Sequence, residues 1–151
     1  MPCAARVTRR RPQIQSESVV SNLASLTEGH RFPRYQLTFR DSDIAAYVAA
    51  VGDLSPVAMP GPDRLVPPLA LIASGLGHMI RLLGLAAGTV HASQECEFER
   101  PVRVGVAVFA DTSLKANTVR RGTRFATVET QYFDARGQKL ARSVSTVIVP
   151  A

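Results

Sequence analysis

Pro67-Pro68-Leu69-Ala70-Leu71-Ile72-Ala73-Ser74-Gly75-Leu76-Gly77-His78-Met79-Ile80-Arg81-Leu82-Leu83-Gly84 is the stretch whose reading decides the fold. Leu69, Ile72, Ala73, Leu76, Ile80 and Leu83 keep helical spacing. Pro67 and Pro68 suit the first turn, where an N–H would have no partner in the helix, and Gly84 supplies the stop. The stretch is apolar nearly all round, so the helix is expected to be buried on most sides. Gly75 and Gly77 each cost about 1 kcal/mol relative to alanine in a helix interior. That cost implies a close neighbour, either packed strands or a ligand chain.

Outward from this helix toward the C-terminus the pattern turns to strands. Ala92, Gln94, Cys96 and Phe98 alternate with Ser93, Glu95, Glu97 and Glu99. Pro101 breaks that run, and Gly105 allows a bend before Val106 to Leu114. Two further runs, Thr123 to Phe133 and Lys139 to Val149, flank Asp134-Ala135-Arg136-Gly137, a turn sequence. Toward the N-terminus, Tyr35, Leu37 and Phe39 alternate as a short strand. Asp41 is the expected N-cap of a helix with Asp43 in its first turn and Ile44, Tyr47, Val48 and Val51 on one face; Gly52 stops it. A Pro- and Gly-rich loop, Asp53 to Pro62, leads back to the central helix. Long strands joined by short turns imply an antiparallel sheet, and a helix buried on most sides needs that sheet curled about it. The expectation is therefore α+β, with a curved antiparallel sheet wrapped around a long central helix, the hot-dog arrangement. An α+β sandwich with helices on one sheet face is the alternative.

A length of 151 residues with 46% hydrophobic and 20% charged content suits one globular domain. The formal charge is +6, but Arg6, Arg9, Arg10 and Arg11 lie in an opening segment without acids; removing them leaves 14 bases against 12 acids. Residues 1–27 lack sustained periodicity and read as a basic, flexible arm, with the domain at 28–151. The arm is either solvated or bound to an anionic partner. The absence of tryptophan and of basic-aromatic interleaving argues against nucleic acid. The longest apolar run, Val66 to Ile80, is too short for a membrane span, and no secretory signal is expected. Cys3 and Cys96 make neither a disulfide framework nor a metal site, so a reducing cytoplasm is the expected location.

Tyr47-Val48-Ala49-Ala50-Val51-Gly52-Asp53-Leu54-Ser55-Pro56-Val57-Ala58 resembles the signature of the MaoC-like and R-specific enoyl hydratases, an aromatic followed by Gly-Asp-x-Asn-Pro-aliphatic-His. Tyr47, Gly52, Asp53, Pro56 and Val57 match; Ser55 replaces the asparagine and Ala58 the histidine. His91 to Gly105, with its Glu- and Phe-rich strand running into Arg100-Pro101-Val102-Arg103-Val104-Gly105, is similar to the amino-terminal-type dehydratase domains of that family. Val66-Pro67-Pro68 is similar to the lead into their central helix. The resemblance spans Arg34 to Pro150 and implies chemistry on 3-hydroxyacyl thioesters. There a His–Asp pair moves the protons, and backbone N–H groups near the central helix stabilise the enolate-like oxygen. A positioned acid or base contributes about 10²–10⁴-fold, and alanine carries no proton. The resemblance leaves Asp53 as the catalytic candidate and Ser55, Pro68, Gly75, Arg100 and Arg103 as substrate-binding candidates. No metal or cofactor is implied beyond coenzyme A or an acyl carrier as the thioester's carrier.

Other residues offer little to replace the histidine. An unshifted aspartate is a poor base for this carbon acid. His78 lies about ten residues into the central helix, roughly 15 Å from its start, and His30, His78 and His91 read as structural. Asp63 and Arg64 either face a thioester entrance or lie in a solvated loop. Glu95, Glu97 and Glu99 read as a wet strand face, or as the carboxylate of a hot-dog thioesterase. Arg100 and Arg103 either meet coenzyme A phosphates or sit in a solvated turn. Three functions stand: a degenerate or supporting dehydratase subunit of fatty-acid-type metabolism, paired as a homodimer or with a catalytic hot-dog chain; a self-sufficient dehydratase or thioesterase with relocated groups; and a non-enzymatic acyl-ligand binder.

Overall fold

The computed structural model describes residues 22–53, 55, 60–61, 63–85 and 87–150. A short 3-10 turn, Leu23–Ser25, precedes β1 (Tyr35–Thr38) and α1 (Asp41–Val51). The central helix α2 (Pro68–Leu83) is followed by β2 (Val90–Phe98), β3 (Ala107–Arg120), β4 (Thr123–Phe133) and β5 (Lys139–Pro150). The strands form one antiparallel sheet in the order β1-β3-β4-β5-β2. This is the α+β hot-dog architecture, with β1 and β2 as the sheet edges.

Alternation of apolar and polar residues aims one sheet face at α2. Val108, Ala110 and Leu114 of β3, Ala126, Val128 and Tyr132 of β4, and Ala141, Val147 and Val149 of β5 are all buried. The outer face is wet and charged: Glu97 pairs with Arg142 and Glu99 with Lys139. In the turn between β4 and β5 the Asp134 carboxylate accepts from the Arg136 and Gln138 N–H groups at 2.9 and 2.8 Å, and Gly137 takes a φ of 77°.

Three expectations change. The N-cap of α1 is Arg40, not Asp41, because Asp43 at the third helical position accepts from the Arg40 backbone N–H at 2.9 Å and from its guanidinium at 3.2 Å. α2 is not buried on most sides: Leu69 is 59% and Ile80 44% exposed, and Ala73 between them is exposed too. One five-stranded sheet covers only one side of a helix. Finally, Asn22–Thr27, expected within the arm, packs onto the domain. Leu23 is buried with Leu82 and Leu83, and the Asn117 amide donates to the carbonyls of Leu23 and Leu26 at 2.9 and 2.7 Å. The rest of the expected arm, residues 1–21, lies outside the described residues.

Candidate functional site

α1 ends where Gly52 adopts the left-handed conformation, with φ of 67°, which turns the chain sharply into the loop. Asp53 follows, its N–H bonded to the Val48 carbonyl at 3.2 Å. The Asp53 carboxylate accepts from the Ser55 N–H at 2.8 Å, closing an Asx turn. Hydrogen bonds from the backbone and side chain of Ser55 hold the carboxyl below the usual carboxylate range. Asp53 is thus an ionised acceptor folded onto its own loop. Ala58, at the position of the motif's histidine, lies outside the described residues, as do Pro56 and Val57.

The start of α2 is built from two prolines. Pro67 caps it and Pro68 is its first residue, exposed and without an N–H. The N–H groups of Ala70 and Leu71 both turn back to the Pro67 carbonyl, at 2.9 and 3.4 Å. Among the described residues, the Leu69 N–H is the one first-turn donor left without a partner. A helix N-terminus ordinarily offers several such donors, so the capacity to hold a developing oxyanion here is reduced.

Beside this start, residues 64–66 pair with residues 102–104. Val66 donates to the Val102 carbonyl at 2.8 Å and Val104 to that of Arg64 at 3.0 Å, with Leu65 bridged to Arg103. The pairing carries Arg103 next to the lead into α2, where it forms an exposed ion pair with Asp63. Arg100 donates to the Gln138 side-chain oxygen at 2.7 Å, and no carboxylate pairs with it among the described residues. Arg103 therefore lies beside the lead into Pro68, whereas Arg100 is held against the β4–β5 turn and the start of β5. No hydrogen bond or ion pair among the described residues joins either to Asp53 or Ser55.

Arg64 is buried, at 6% exposure, and its guanidinium donates to the Asp41 carbonyl at 3.1 Å and carboxylate at 3.3 Å. It ties the lead into α2 to the first turn of α1. The solvated-loop reading of Arg64 is thereby corrected: its guanidinium is buried because the Asp41 carbonyl and carboxylate accept from it. Gly75 faces a packed strand: a Cβ there would overlap the Tyr132 hydroxyl and stand 2.9 Å from Cζ. His78 is buried and stacked on Tyr35, with ring centroids 3.6 Å apart; burial, then the Arg81 charge, lowers its pKa from the ordinary value. His30 meets Phe32 edge-on, and His91 is exposed on β2. Among the described residues no group of three His, Cys, Asp or Glu is placed to hold a metal, and no helix is long and apolar enough to cross a membrane.

The family described as FAS1-like, dehydratase domain region, matches residues 27–143. R-hydratase PhaJ1 from Pseudomonas aeruginosa is similar in structure, with a TM-score of 0.72, 18% identity and 85% of each chain covered. The HadBC (3R-hydroxyacyl-ACP dehydratase) complex from Mycobacterium tuberculosis gives a TM-score of 0.66 at 15% identity, over 80% of this chain and 96% of that one. Rv0216 from the same organism, described as a double hot-dog fold, gives 0.72 at 17% identity, over 87% of this chain and 44% of that one. No curated protein matches the chain. With the fold, the Gly52-Asp53 turn and a family match across most of its length, the chain belongs to the FAS1-like dehydratase-region family of MaoC-like hot-dog proteins.

Proposed function

We propose that this chain is the supporting, substrate-shaping half of a 3-hydroxyacyl-thioester dehydratase, with the proton-transferring pair supplied by a catalytic hot-dog partner. The observation that carries the reading is Ala58, which stands where the motif has its histidine. Two features of the site support it. Asp53 is held ionised by Ser55, which makes it a weak base for a carbon acid. The double proline leaves the start of α2 poor in N–H donors. Partnership is favoured by the open edge of β2 and by the exposed apolar residues Leu69 and Ile80 on α2. In this reading the substrate arrives as a coenzyme A or acyl-carrier thioester, with Arg100 and Arg103 as the phosphate-facing cations.

The test measures hydration of crotonyl-CoA by the wild type, by Ala58→His and by Ala58→His combined with Asp53→Asn. The wild type alone is expected to be silent. Ala58→His is expected to recover part of about 10²–10⁴-fold, and Asp53→Asn to remove that gain. Robust turnover by the purified wild type, with contaminating hydratase excluded, overturns the reading.

A further inference from the structure

The space between α2 and the sheet does not hold one continuous apolar core. One cluster gathers Phe39, Ile44, Val66, Leu71 and Val108 toward the start of α2; a second gathers Leu83, Leu114, Val128 and Val147 toward its end. Between them, α2 and the three central strands each interrupt their apolar run at the same level. α2 places Gly75 and His78 between Ile72 and Met79. β3 places Thr112 between Ala110 and Leu114, and β4 places Thr130 between Val128 and Tyr132. β5 places Ser143 and Ser145 between Ala141 and Val147.

Strand register aligns these interruptions. Thr112 stands opposite Thr130, Thr130 opposite Ser143, and Ser143 opposite Cys96 of β2, with Gln94 opposite Ser145. The hydroxyls of Thr112 and Thr130 lie 3.0 Å apart in a hydrogen bond, and Ser145 donates to Gln94 Oε1 at 2.6 Å. None of the four hydroxyl residues is more than 5% exposed. A polar belt thus crosses the inner face of the sheet from β3 to β2.

The belt is not self-satisfied. Tyr132 Oη, Tyr35 Oη and Gln94 Nε2 are buried without a hydrogen-bond partner among the described residues. Tyr132 is 0% and Tyr35 8% exposed. Thr112 adjoins Tyr35 and Ser143 adjoins Tyr132, but neither closes a bond of normal geometry. Buried polar groups in folded proteins are nearly always paired, with protein or with ordered water. Three orphans along one belt point to a missing partner that both donates and accepts.

We propose that the belt is an internal hydroxyl-binding subsite, taking a neutral hydroxyl group between α2 and the sheet. The hydroxyl comes either from internal water or from a substituent on an aliphatic chain, beyond the 3-hydroxyl on which the family's chemistry acts. A neutral ligand fits because burial favours neutral groups here: it pushes Tyr132 up to about 12 and Tyr35 further, and lowers His78. Gly75 and His78 lie roughly 10–15 Å along α2 from Pro68 at 1.5 Å per residue. A chain whose thioester sits at the helix start would therefore meet the belt part-way along its length. The chain source rests on the proposed function; the water source does not.

The test has two arms, both on the full chain. In the first, a crystal structure that resolves ordered water is combined with urea denaturation of Tyr132→Phe and Tyr35→Phe. Water on Tyr132 Oη, with both variants no more stable than wild type, is expected. A dry belt with both phenylalanine variants more stable than wild type would overturn the subsite, since deleting an orphaned hydroxyl relieves its burial. In the second arm, calorimetry compares decanoate with a mid-chain hydroxydecanoate. A preference on the order of fivefold for the hydroxylated chain, abolished in Thr130→Val, assigns the substituent as the source. Equal binding, with the waters present, assigns water. Failure of the proposed function would appear as absent dehydratase activity with a partner while the first arm still holds.

Discussion

The hydroxyl of Tyr132, on β4, occupies the space that a Cβ on Gly75 of α2 would need. This contact is why a helix interior tolerates glycine at that position. Gly75→Ala should therefore destabilise the fold even though alanine favours helix. Overpacking costs about 1–3 kcal/mol, against about 1 kcal/mol gained in propensity. Urea denaturation should show a net loss of about 1 kcal/mol, and Tyr132→Phe in the Gly75→Ala background should recover part of it. Additive losses would break the link.

Acid should weaken the fold through His78. In the unfolded chain its imidazole titrates near 6.5; in the fold, burial and Arg81 lower that value. The unfolded state then binds more protons, so stability is fully present above about pH 6.5 and is lost as pH falls toward the folded value. Urea midpoints between pH 7.5 and 5 should decline, and His78→Phe should flatten that decline. A wild type with no slope in this window would refute the assignment.

Two glutamates on the outer face should behave differently. Burial pushes the Glu129 carboxyl up, but hydrogen bonds from Gln131 and Arg142, and the charges of Arg142 and Lys115, outweigh it and hold it low. Its bond to Arg142 is 2.6 Å long, and the residue is 7% exposed. Glu97 meets the same arginine at 3.1 Å with its side chain 61% exposed. Glu129→Ala should cost about 2 kcal/mol and Glu97→Ala under about 1 kcal/mol in equilibrium unfolding at neutral pH. Equal losses would mean burial adds nothing to this pair.

The open edge of β2 should be paired in solution. Val90 and Phe98, at its two ends, are 55% and 45% exposed. Light scattering at micromolar concentration is expected to find a dimer, or a monomer that dimerises on adding the catalytic chain. A protein that stays monomeric in both conditions would exclude the joined sheet.

The hot-dog architecture was legible because its two periods are clean: 3.6 along Leu69, Ile72, Leu76 and Leu83, and 2 along Ala92 to Phe98 and Thr123 to Phe133. The Asp53 turn was legible from its motif. Less visible was which side of α2 the sheet would leave open, because Leu69 and Ile80 are as apolar as Leu71 and Leu82. Arg64 reads from the sequence as facing a thioester entrance or lying in a solvated loop, and its burial was not visible because a buried charge depends on a partner 23 residues earlier in the chain, Asp41. The belt was hidden because threonine and serine at inward positions read locally as ordinary strand residues; only register lines up Thr112, Thr130 and Ser143.

The Asn117 amide that grips Leu23 and Leu26 also receives a hydrogen bond from Arg124 at 2.9 Å, locking the entry of the chain onto the β3–β4 hairpin. That entry lies beside the last turn of α2, at the pole opposite Pro68. An affinity handle or fusion joined upstream of Asn22 would therefore be tethered at the far pole, so a surface-immobilised protein would present the Pro68 and Arg103 region to solution.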